Sequence, residues 1–215
     1  MMNLFQNTEL VDSNTIGLFL DEIISPRLSK RGLFWNSKYL WFDQPKNSVR
    51  QVFGYSRLKG ETGTFVWGVC IDFVLTISSN KLKFHRTDKS VTQHLFDWTD
   101  EYSNSFFGGK LDGGITTHWG KRETKNSIHR LFDKYEQKIN KWFDRASTFE
   151  NLIDIAEQQI KTGKSYNLHS PDQRLVLAFL QAKTHQLDKA TKTINQLALG
   201  DNLKELLVKQ ISKTG

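Results

Sequence analysis

The feature that most constrains this chain is the run at residues 64–77, TFVWGVCIDFVLTI. Phe65, Trp67, Val69, Ile71, Phe73, Leu75 and Ile77 form one alternating row, and Val66, Cys70 and Val74 lie in the other. Period-two patterning with β-branched and aromatic residues predicts a strand. A strand apolar on both faces belongs inside a sheet that is covered on both sides. Such a chain must supply strands for both edges and a layer for each face. Fifteen Phe and six Trp can furnish much of that buried area.

The flanking segments provide the strands. LFWN (33–36) and YLWF (39–42) are short and aromatic, and SVRQVFGYSRL (48–58) is longer. KGETG (59–63) is a turn, SSN (78–80) is another, and KLKFHR (81–86) opens a further strand. The expected arrangement is an antiparallel meander. VTQHLFDW (91–98) fits strand or helix, and ITTHWG (115–120) reads as a last strand.

Helical periodicity brackets this region. Ile16, Phe19, Leu20, Ile23, Ile24 and Leu28 predict a helix over 14–30, with a kink or a break into two short helices at Pro26, closed by Gly32. From Thr124 onward the pattern is helical throughout. Ile128, Leu131, Phe132, Tyr135, Ile139, Trp142 and Phe143 share about a third of a helical wheel. Ser147 with Glu150 spells a capping box for the next helix, which Gly163 ends. Ser170-Pro171 starts another, with divisions near Gln186 and Gly200. The expected fold is α+β: an N-terminal helix packed on an antiparallel β meander, followed by a helical C-terminal region. The organisation is an α+β domain over 1–145 and a helical region over 146–215.

Two resemblances follow from these residues. Ser29-Lys30-Arg31-Gly32-Leu33-Phe34, after a first helix and before a meander, resembles small bacterial domains similar to immunity-type proteins that bind and neutralise toxins. Leu177, Ala178, Ala190 and Ile194 sit at the small and apolar positions of a helical hairpin that looks tetratricopeptide-like over 171–199. Arg174 and Gln181 depart from that repeat's aromatic positions, and only one unit is visible. The resemblances imply helix-pair packing and the binding of a protein partner.

Signatures of catalysis are weak. The six His residues form no His-Glu-x-x-His or His-x-His pair, and Cys70 has no second cysteine, so no metal site and no cofactor are expected. Cys70 reads as a buried, inert thiol. GGKLDGG (108–114) lacks the Gly-Lys-Ser/Thr step of a phosphate loop. Glu123-Thr124-Lys125, with Asp112 upstream, spells a nuclease motif but follows no buried strand. Asp72 is the one charge in the apolar run. A turn centred on Glu61 would set Arg50 opposite Asp72 as a structural ion pair, and Tyr55 opposite Trp67.

The strongest functional signal is the sorting of charge on the helix after residue 124. Arg130, Lys134, Lys138, Lys141 and Arg145 form one stripe, while Asp133, Glu136 and Asp144 collect on the opposite flank. Arg130/Lys134, Lys134/Lys138 and Lys141/Arg145 are like-charge pairs four apart, which mildly oppose the helix. The net charge of +7 agrees in sign. The expectation is a cytoplasmic, non-enzymatic module whose stripe binds a protein with an acidic surface. Nucleic acid is the alternative partner. A second alternative is an enzyme assembled from scattered residues, Asp72, Glu123 and a His first among them. MMNLFQNTEL lacks the pattern of a signal peptide, and no apolar run is long enough to span a bilayer.

Overall fold

The computed structural model describes residues 9–37, 39–44, 48–58, 62–78, 81–83, 91–99, 114–163 and 171–214. The fold is α+β, with an N-terminal helix, an antiparallel sheet and then helices. Helix α1 (Ser13–Leu28) starts at Asp12, whose side chain accepts from the amides of Asn14 and Thr15. Those bonds and the Thr15 hydroxyl, the largest cause, hold the Asp12 carboxyl below the usual carboxylate range. Ile16, Leu20, Ile23, Ile24 and Leu28 are its buried face.

Pro26 does not break α1 into two short helices, one of the two outcomes its position allows. It lies in the last turn, and a 3₁₀ turn (Ser29–Arg31) continues from the helix. Gly32 then reverses the chain at φ +82°, a conformation that a Cβ would strain.

The main sheet runs β1 (Phe34–Ser37), β2 (Leu40–Phe42), β3 (Val49–Leu58), β4 (Thr62–Ile71). Two later strands of the same sheet are Leu95–Trp98 and Ile115–Thr116. Every residue of β4 is buried, as two apolar faces require. The first three strands are locked by an aromatic rung. Trp35 pairs with Trp41, and Trp41 with Phe53, with ring centroids 4.6 and 5.5 Å apart. Phe65 of β4 extends it at 5.1 Å from Phe53. A one-residue slip would turn these rings to the other face, so the rung fixes the register.

The strand expected over 64–77 stops at Ile71. Val74 N–H turns back to Ile71 C=O at 3.1 Å, and Thr76–Ser78 (β5) pairs with Lys81–Lys83 (β6) as a separate two-stranded sheet. Asp72 therefore lies just past the strand. Leu95–Trp98 (β7) resolves the ambiguous segment 91–98 as strand: His94 N–H bonds Val69 C=O and Thr99 N–H bonds Phe65 C=O, an antiparallel progression. Ile115–Thr116 (β8) pairs with Thr62 and Gly63.

Five helices follow among the described residues: α2 (Gly120–Arg145), α3 (Phe149–Thr162), α4 (Gln173–Lys183), α5 (Leu187–Asn195) and α6 (Asp201–Thr214). The cap of α3 is Thr148, which accepts from Asn151 N–H, while Ser147 donates to Asp144 C=O instead. Asp172 caps α4, one residue beyond Pro171. Ser170 lies outside the described residues.

The chain divides into two compact units that do not follow chain order. The first holds residues up to Gln44, Gln51–Trp67 and Asp97–Asn140; the second holds Pro45–Arg50, Gly68–Phe96 and Lys141–Gly215. In the first, Phe132 of α2 packs edge-on to Phe53 and Phe65 at 5.6 and 5.9 Å. In the second, Val69, Ile71 and Leu95 share a core with Leu152, Ala156, Phe179, Leu180, Ala190 and Ile194. Among the described residues no helix is long and apolar enough to cross a membrane.

Candidate functional site

Helix α2 has one buried face and two charged flanks. In the first unit, Arg27 of α1 reaches the acidic flank. Its Nε donates to Glu136 Oε1 at 3.1 Å, its two terminal nitrogens pair with Asp133 and Glu136, and its guanidinium carbon lies 4.7 Å from the centre of the Phe132 ring. Lys125 similarly meets Glu22 at 2.7 Å. These carboxylates are thus engaged by cations of their own unit.

On the opposite flank Arg130, Lys134 and Lys138 are exposed. Lys134 Nζ stands 5.3 Å from the centre of the Tyr135 ring. Lys138 Nζ is 5.6 Å from that ring and 5.7 Å from Trp67. Both rings are buried, so the two ammonium groups lie against fixed aromatic surface. Asp97 Oδ2 lies 3.7 Å from Lys138 Nζ, at the edge of the cation ladder. Lys141 and Arg145, the other two members of the stripe, belong to the second unit; both are exposed, and Arg145 donates to Gln158 Oε1 at 3.4 Å. Position on the wheel marked all five cations, but it did not reveal Arg27, Tyr135 and Trp67 as their setting. The signal was available in part: Asp133 and Glu136 are three apart, the spacing at which two carboxylates face one cation.

The structure places Arg50 Nε 3.2 Å from Asp72 Oδ1, with side chains 4% and 5% exposed. The route is not the directly opposed one. Asp72 N–H donates to Ser48 C=O at 2.8 Å, which makes 48 and 72 the facing positions and leaves Arg50 to reach Asp72 diagonally. The turn at 59–61 lies outside the described residues. Tyr55 packs on the Tyr39 ring, 5.3 Å between centroids.

The remaining suspects for chemistry are dispersed. Glu123 is half-buried beside Arg122 in the first unit, whereas Asp72 is in the second. His94 is buried, and its Nδ1 accepts from Ile71 N–H at 2.7 Å. Burial pushes its pKa down to about 3, so the imidazole is neutral and serves as an acceptor. His118 accepts from Trp119 Nε1, and His129 and His185 are exposed. Cys70 is buried. His85, His169, Asp112 and residues 108–113 lie outside the described residues. Among the described residues no group of three or more His, Cys, Asp or Glu is placed to hold a metal ion.

A groove on α5 and α6 is lined by Thr191, Asn195, Asp201, Lys204, Glu205, Val208 and Lys209. Two lysines face two carboxylates there, so the rim has no net sign with which to select a charged ligand. The α4–α5 hairpin itself is tied internally: Gln181 is buried and accepts from the Thr193 hydroxyl at 2.9 Å, a polar tie where an aromatic residue would otherwise pack. Compared with protein-family models, with curated proteins and with solved structures, the chain matches none.

Proposed function

We propose that this chain is a non-enzymatic protein-binding module of immunity or regulatory type, which captures a partner with an acidic surface on the cationic flank of α2. The observation that carries the reading is the asymmetry within the first unit. Arg27 engages Asp133 and Glu136 on one flank, while Arg130, Lys134 and Lys138 are exposed on the other, where Asp97 lies beside Lys138. That asymmetry gives the flank a positive potential, which speeds encounter with an acidic surface and selects against a basic one. The resemblance of 29–34 to immunity-type domains points to the same class of partner.

The test compares the intact protein with an Arg130→Glu/Lys134→Glu variant on immobilised supports, each offered host proteins and duplex DNA. Salt-sensitive retention of a discrete acidic protein by the intact chain alone, at an unchanged melting temperature, supports the reading. Retention of DNA in its place, lost in the same variant, replaces the reading with phosphate binding.

A further inference from the structure

We draw no further inference here: the strongest candidate, the exposed apolar patch of Leu10 and Trp119 on the bridged segments 9–11 and 117–120 at the start of α2, carries nothing, because Lys121 and Arg122 beside it are matched in charge by Glu9 and Glu123 and nothing in the structure shows what covers it.

Discussion

The hydroxyl end of the Tyr55 ring lies against Gly63, so close that a methyl group at position 63 would overlap Cε2, Cζ and the hydroxyl oxygen. The glycine is there because the neighbouring strand's aromatic side chain occupies the space its own would fill. Gly63→Ala should cost about 1–3 kcal/mol in chemical denaturation, the usual range for overpacking. Coupling Gly63→Ala with Tyr55→Ala should give a loss smaller than the sum of the two. Additive losses would show that the ring is not what excludes the methyl.

The Tyr55 hydroxyl supplies a companion test. It is buried with no hydrogen-bond partner among the described residues, and burial pushes its pKa up to about 12. Tyr55→Phe keeps the ring against Gly63 and deletes only the unsatisfied oxygen. Stability should therefore be unchanged or rise by up to about 1 kcal/mol. A clear loss would mean that the hydroxyl is bonded in solution.

Arg50 and Asp72 form a buried pair in the second unit. Asp72→Ala strands the guanidinium and should cost on the order of 3 kcal/mol. Replacing both with apolar residues should cost less than either single change, because no charge is then left without its counterion. A double variant less stable than both singles would contradict this account.

The pair also shows what the sequence could and could not convey. Burial of Asp72 followed from one charge standing in an apolar run, and Arg50 followed from strand pairing. The diagonal route did not, because it depends on where the ladder ends. Ile71 and Asp72 carry no local stop signal, and the strand ends where Val74 N–H returns to Ile71 C=O. Pro26 did not break α1 as one of the two expected outcomes required, since the helix runs on through it to Leu28. The α2 cations were legible because the wheel depends only on spacing. Tyr135 and Trp67 beneath them were not, because Trp67 comes from a distant strand, and no local pattern records which ring a lysine stem will cover.

His94 predicts the response to acid. The folded imidazole resists protonation down to about pH 3 because it is buried, while an unfolded histidine takes a proton near pH 6.5. Between those values the unfolded chain binds the extra proton. Stability is therefore full above pH 6.5 and falls by about 1.4 kcal/mol per pH unit below it, until the folded group also titrates. His94→Asn retains an acceptor for Ile71 N–H without the titration. Its stability should vary less between pH 6.5 and 4, measured by urea denaturation at fixed ionic strength. An unchanged slope would assign the acid sensitivity to other groups.

Arg27 links stability to the charge asymmetry of α2. Its guanidinium answers Asp133 and Glu136 and covers Phe132, so Arg27→Met retains much of the apolar cover and removes the charge. The site is partly exposed, with the Arg27 side chain 27% accessible, so solvent screens part of the loss and the expected cost is only about 1 kcal/mol. The larger effect should be on association. Two unanswered carboxylates then share the helix with Arg130, Lys134 and Lys138, and the potential that steers an acidic partner falls. Association with an acidic partner should slow at low salt and converge with that of the intact protein as salt is raised. Adding Asp133→Asn and Glu136→Gln to Arg27→Met removes the two unanswered carboxylates and should restore the rate. If the rate stays low in this triple variant, Arg27 acts on association through the packing of α1 against α2, and the electrostatic account of the flank fails.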